Sequence, residues 1–246
     1  MISFVLTFTA LLFVVTFTPL AALIAFPWTW ISGSADFLYG LAMCIARGGL
    51  WLAGVRVKVQ GRERIDSDAT YIFMCNHVSN LDPPILIPKL PRRTSVLVKK
   101  ELFQVPILGR AMLMGDLVAV DRRNREVAVN SMKHAEEVMA RGLNMTVFPE
   151  GTRSTDGHLL PFKKGPFYLA MDSGIPIVPV TILGSETLMP KGSSTIHAGT
   201  VRLVFHPPIS PAQFSEKEEL IAAVRRAISS ELLPAGLREP DLDAAP

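Results

Sequence analysis

The first 35 residues carry no charged side chain, and this constrains the chain more than any other feature. The stretch Ile2 to Trp28 exceeds the roughly 20 helical residues that cross a hydrocarbon core of about 30 Å. A cleaved secretory leader fits poorly, because no basic residue precedes the run and leader cores are usually about 7–15 residues long. A second segment, Phe37 to Val55, is apolar except for Arg47. Between the two lies PWTWISGSAD, in which Trp28 and Trp30 suit a headgroup interface. Ser34 is placed to cap the second helix, with Asp36 near its positive end, and Pro19 predicts a kink in the first. Two arrangements fit: a full span followed by an interfacial helix, or a helical hairpin dipping into one leaflet. Arg47, in mid-segment, favours an interfacial second helix from which it can snorkel. The next charges, Arg56, Lys58, Arg62 and Arg64, predict that the following domain lies on the cytoplasmic side.

Beyond this segment the composition becomes ordinary. Only two of the 47 charged residues, Asp36 and Arg47, fall in the first 50 positions. That balance excludes a disordered chain and a multi-span transporter. The two cysteines, Cys44 and Cys75, form neither a disulfide framework nor a metal-type spacing. Residues 51–125 hold 13 Lys/Arg against 7 Asp/Glu, so the basic half adjoins the apolar segment. Anionic lipid attracts such a surface. A nucleic-acid partner is not expected, since the few scattered Tyr and Trp build no stacking platform.

From residue 55 onward, β-rich runs alternate with helical ones. VRVKVQ (55–60), TYIFMC (70–75), SVLVK (95–99), LVAVD (117–121), NMTVF (144–148), IVPVTIL (177–183) and VRLVF (201–205) read as strands. Arg125 to Arg141 reads as a helix with Val127, Met132, Ala135, Val138 and Met139 on one face. Gly165 to Ser173 reads as another. Ser215 to Leu232 reads as a third, opened by a Ser215–Glu218 capping box. The pattern predicts an α/β fold with a mainly parallel mixed sheet covered by helices. The expected organisation is an anchoring hairpin over 1–54, an α/β domain over 55–232 and a disordered tail over 233–246.

Three polar clusters follow predicted strands, where ligands bind in open α/β sheets. Asn76-His77-Val78-Ser79-Asn80-Leu81-Asp82 sets a histidine five residues from an aspartate across a tight turn. A carboxylate on one imidazole nitrogen leaves the other as a base. No G-x-S-x-G supplies a serine nucleophile, so the nucleophile is expected to be a substrate hydroxyl. A turn histidine capped by a local Asp is the plain structural alternative. Phe148-Pro149-Glu150-Gly151-Thr152-Arg153-Ser154 offers a glycine turn and an Arg fork matched to phosphate, with Lys163 and Lys164 nearby. An ordinary polar loop would have the same composition. The third cluster runs from Lys99-Lys100-Glu101 to Asp121-Arg122 and could serve a phosphate or an oxyanion, or be solvated surface charge. The remaining histidines, 134, 158, 197 and 206, have no companions at metal-ligand spacing.

In order, NHVSNLD (76–82), KKELFQVPILG…VDR (99–122), FPEGTRS (148–154) and IVPV (177–180) resemble the four blocks of the glycerolipid acyltransferases. The likeness is greatest to the bacterial members acting on 1-acyl-sn-glycerol 3-phosphate, and it covers roughly residues 55–232. It implies transfer of a fatty acyl group from acyl-CoA or acyl-ACP to the sn-2 hydroxyl, giving phosphatidic acid. It also implies His77 as general base with Asp82 as its partner. Glu150, Gly151, Thr152 and Arg153 would bind the acceptor. Lys99 or Lys100 and Arg122 would serve phosphate or oxyanion, and Asn76 and Pro179 would be structural. No metal and no cofactor beyond the acyl donor is expected, and the location implied is the bacterial cytoplasmic membrane. One departure stands out: Gly115 to Arg122 is longer than the second block's usual interval, and Val118 and Ala119 replace its aromatic. The same chemistry on lyso-ornithine lipid, glycerol 3-phosphate or another lysophospholipid is the nearest alternative. A hydrolase and a non-catalytic membrane-binding module lie further off.

Overall fold

The computed structural model describes residues 1–121, 125–155 and 157–232. Helix α1 (Ile2–Ser32) runs on through Pro19 and Pro27 and ends at Gly33 in the left-handed conformation (φ 68°). Helix α2 (Asp36–Leu52) turns back along it. Ser34 acts from one position earlier than expected: its Oγ accepts the Asp36 N–H at 3.2 Å, while Ala35 is the capping residue. Glycines let the two helices approach closely. A Cβ on Gly48 would come within 2.8 Å of the Phe13 ring, and one on Gly49 within 3.0 Å of Val14.

The α/β part of the chain holds both ends of this hairpin. The Thr7 hydroxyl accepts the Ile196 N–H at 2.8 Å, and Ser3 Oγ lies 3.0 Å from His197 Nδ1. At the other end Arg93 pairs with Asp36 at 3.2 Å. Arg47, expected to snorkel, is exposed and its guanidinium donates to the Pro88 carbonyl at 2.8 Å. The hairpin lies along the domain and leaves an uncovered apolar flank that includes Phe4, Phe8, Leu23 and Trp30.

The sheet comprises β1 (Val55–Gln60), β2 (Ile72–Cys75), β3 (Thr94–Lys99), β4 (Val118–Val120), β5 (Asn144–Val147), β6 (Ile177–Leu183) and β7 (Gly199–Phe205). Their order is β1-β7-β6-β2-β5-β3-β4. Every adjacent pair is parallel except β6 with β7. The sequence-based expectation of a mainly parallel mixed sheet therefore holds. Its consequence is positional: β2 to β6 all end at the same edge, so the loops after them share one crevice. Pro179 sits one residue before the β6–β7 ladder begins at Val180, where no donor is asked of it on that side.

The remaining helices are α3 (Asp82–Leu86), α4 (Leu108–Met114), α5 (Arg125–Ala140), α6 (Gly165–Ser173), α7 (Ser185–Leu188) and α8 (Lys217–Ser229). Side chains alternate along the central strand β2. Phe73 and Cys75 pack with Ile85, Leu86, Val180 and Phe205. Ile72 and Met74 pack on the other face with Val138, Phe167, Leu220 and Val224. The predicted α5 face is buried at Ala135, Val138 and Met139, with Met132 packed beside it; the Val127 side chain lies outside those described. Helix α8 is shorter than expected and has no capping box. Glu218 turns instead to Lys164 at 3.0 Å and Lys217 at 3.4 Å, because full charges there outcompete a backbone N–H. Residues 233–246 lie outside the described chain.

Candidate active site

Strand β2 delivers His77 to the sheet edge, and the turn into α3 brings Asp82 back to it. His77 Nδ1 lies 2.8 Å from Asp82 Oδ2. The same carboxylate oxygen accepts the backbone N–H groups of Val78 and Ser79, each at 2.8 Å. Oδ1 accepts the Ser185 hydroxyl at 2.6 Å. Asp82 is fully buried. A buried carboxylate facing four donors acts purely as acceptor, so the imidazole carries its proton on Nδ1 and keeps a lone pair on Nε2. The ring stacks on Phe148 with centroids 4.3 Å apart.

Neighbouring strands lock this pair. Asn76 bridges to β6, donating to the Ile182 carbonyl at 2.9 Å and accepting its N–H at 2.8 Å. Glu150, expected to face the acceptor, is turned inward. It is 2% exposed, and its two oxygens accept the His77 N–H at 2.7 Å and the Leu160 N–H at 2.8 Å. Those two bonds hold the carboxylate away from solvent. Burial pushes the Glu150 carboxyl above its usual range, although both N–H bonds pull the other way. Glu150→Gln should therefore misalign His77. The amide has one acceptor oxygen for two buried donors, and an unmet donor costs about 1–3 kcal/mol. We expect a lower melting temperature and a lower kcat with little change in KM, checked by thermal melts and steady-state rates.

Among the described residues, the hydroxyls and the thiol packed closest to the pair are committed elsewhere or poorly ionised. The Ser79 hydroxyl donates to the Met189 carbonyl at 2.8 Å and accepts the Leu81 N–H, and Ser185 is committed to Asp82. The Cys75 thiol is pushed well up, first by burial and then by the Asp82 charge, so it forms little thiolate.

The loop after β5 turns at Gly151 (φ +72°), where an added Cβ would also crowd Lys163 at 3.2 Å. Beyond it the Ser154 N–H donates to the His77 carbonyl at 2.8 Å, which ties the loop to the histidine. Thr152 is exposed. Arg153 Nη1 is buried with no hydrogen-bond partner among the described residues, and the Arg153 carbonyl accepts Lys191 Nζ at 2.7 Å. Lys164, expected to add positive potential here, is drawn off by Glu218. In the third cluster Lys100 pairs with Asp121 and joins the ends of β3 and β4, while Lys99 stays half exposed, 3.5 Å from Glu101. Arg122 lies outside the described residues. Among the described residues no group of three His, Cys, Asp or Glu side chains could hold a metal ion.

Two cavities reach residues that neighbour the pair. One, about 580 Å³, is a groove between the hairpin and the domain, lined almost wholly by apolar side chains, with Leu81 and Pro84 beside Asp82. The other, about 790 Å³, lies among α5, α6 and the β5 loop and includes Phe148, Gly151 and Lys163.

Sequence reasoning missed Ser185, Lys191 and the inward role of Glu150. A Gly184-Ser185 pair closing the apolar strand β6 was the available signal for Ser185, by the same strand-end logic that singled out His77.

A buried carboxylate orienting a histidine at the carboxyl edge of a mainly parallel sheet is an arrangement suited to acid–base chemistry. The chain belongs to the Acyltransferase family, whose sequence profile matches residues 56–183. A 1-acyl-sn-glycerol-3-phosphate acyltransferase from Limnanthes douglasii is 36% identical over 187 residues, covering 75% of this chain and 64% of the relative. This chain thus spans a little under two thirds of that plant protein. A protein of the same name from Borreliella burgdorferi is 32% identical, over 74% of each chain. The crystal structure of the 1-acyl-sn-glycerophosphate (LPA) acyltransferase PlsC from Thermotoga maritima superposes with a TM-score of 0.81 at 28% identity, covering 97% of this chain and 96% of that one.

Proposed function

We propose that this protein transfers a fatty acyl group from acyl-CoA, or from acyl carrier protein, to the sn-2 hydroxyl of 1-acyl-sn-glycerol 3-phosphate at a membrane surface. The observation that carries this reading is the His77–Asp82 pair with no free nucleophile beside it among the described residues, tied to a loop whose Arg153 has a buried N–H that meets no acceptor among those residues. His77 Nε2 removes the proton from the 2-hydroxyl as its oxygen attacks the thioester carbonyl. Asp82 stabilises the imidazolium that forms. The tetrahedral adduct collapses, the C–S bond breaks and the imidazolium returns its proton to the leaving thiolate. The products are phosphatidic acid and free thiol. The step is complete without a metal or redox cofactor, because alignment, a base and an oxyanion stabiliser supply what thioester attack needs. Lys99 is our candidate for the last role.

The apolar groove has the shape and lining for an acyl chain, and the uncovered flank of α1 fits burial in one leaflet of the cytoplasmic membrane, with the α/β domain on the cytoplasmic face. The test is purified protein with an acyl-CoA and a panel of lysolipids, with products identified by mass spectrometry. Phosphatidic acid formed preferentially supports the reading. Acyl-CoA consumed without an acceptor would make the protein a hydrolase.

Arg153 is assigned to the acceptor phosphate. A hydrogen bond to a charged group contributes about 1.5–3 kcal/mol net, so Arg153→Ala should lower kcat/KM for lysophosphatidic acid on the order of 10–100-fold. Arg153→Lys should fall between, since it keeps charge and loses the fork. The acyl-CoA KM should stay constant. A two-substrate kinetic matrix in which the acyl-CoA KM rises instead would move Arg153 to the donor side.

A further inference from the structure

Among the described residues outside the hairpin, five large hydrophobic side chains are exposed: Leu102, Val105, Leu108, Leu113 and Tyr168. Four of the five fall between β3 and β4, within residues 102–113. Soluble surfaces carry exposed apolar residues singly; a cluster marks a contact surface.

This segment is folded and does not hang loose. A 3₁₀ turn over Lys100–Gln104 leads into α4. Ile107 is held at φ +63°, a conformation a β-branched residue rarely adopts. A Cβ on Gly109 would lie 2.0 Å from the Phe103 carbonyl oxygen, so only glycine lets the turn close. The fold thus fixes these aliphatic side chains outward. Helix α4 packs against α1, and Ile107, Leu108 and Ala111 line the groove between hairpin and domain. The patch therefore continues the uncovered flank of the hairpin, and exposed Arg110 at its margin suits anionic headgroups.

We propose that residues 102–113 form a second membrane-inserting element, seated in the same leaflet as the hairpin and beside the groove. Seated there, the segment lets an acyl chain pass from leaflet to groove without crossing water. The proposal rests on the reading of the hairpin as a membrane element.

The test uses the full-length protein in vesicles of phosphatidylethanolamine and phosphatidylglycerol. Val105→Cys, Leu113→Cys and, as a control on exposed α8, Glu219→Cys are each labelled with a polarity-sensitive fluorophore in a Cys44→Ser background. Cys75 is buried and stays unlabelled. The three tryptophans, Trp28, Trp30 and Trp51, all lie in the hairpin and report its insertion separately. Labels at 105 and 113 should shift to the blue. They should lose roughly half their emission to lipids brominated high in the acyl chain, as expected for groups about 5–10 Å deep. The label at 219 should do neither. If the tryptophans are quenched while 105 and 113 behave like 219, the segment lies in water and the proposal fails with the hairpin reading intact. If the tryptophans also go unquenched, the hairpin reading falls and the proposal with it.

Discussion

Replacing His77 by alanine should abolish nearly all turnover while leaving the fold in place. General-base catalysis contributes about 10²–10⁴-fold, and losing base and orientation together costs at least the upper part of that range. The fold should survive because Asp82 keeps three of its four donors: the Val78 and Ser79 N–H groups and the Ser185 hydroxyl. What disappears is one hydrogen bond and a ring stacked on Phe148 at the edge of the site. The melting temperature should fall by no more than about 5 °C. The interaction acts in the transition state alone, so kcat and kcat/KM should drop together. A near-normal rate from a His77→Ala protein that melts normally would remove His77 from the mechanism.

Asp82→Asn should lower kcat by about 10²–10³-fold with little loss of stability. The donor arrangement explains both parts. Three donors converge on Oδ2 and only a hydroxyl meets Oδ1. An asparagine can keep its oxygen toward His77, Val78 and Ser79 and direct its amide to Ser185, whose hydroxyl turns to accept. The imidazole then retains its tautomer but loses the charge that stabilises the imidazolium. Asp82→Ala has no such escape. It strands buried donors at about 1–3 kcal/mol each, so it should melt much lower than Asp82→Asn. Rates and melts on both variants check this. An Asn variant that is as unstable as the Ala variant would mean the amide cannot adopt the orientation described.

Much of the chain was legible in its sequence because the signals are local. A charge-free run of 35 residues must find an apolar environment, and the apolar strands β2, β5 and β6 read as runs because a parallel sheet buries both faces. His77 and Asp82 sit within one turn, so their spacing alone predicted the contact. Short elements were less legible: α3, α4 and α7 are too brief for helical periodicity, and α8 lost its predicted cap to a partner distant in sequence, Lys164.

The tertiary structure decided everything that depends on strand order. Because β2 lies between β5 and β6, the loops that follow them meet, and residues 77, 150 and 185 become neighbours. That adjacency gave Asp82 its hydroxyl donor, turned Glu150 from the acceptor to the His77 backbone and left an Arg153 nitrogen buried without a partner among the described residues. It also laid the hairpin along the domain, through contacts from Thr7 to Ile196 and from Asp36 to Arg93. Sequence determined which residues could be apolar anchors, bases or anion ligands, since those are properties of the side chains themselves. Which of them act together was decided only by folding, since hydrogen bonds and ion pairs reach a few ångströms and these partners are up to 194 positions apart in the chain.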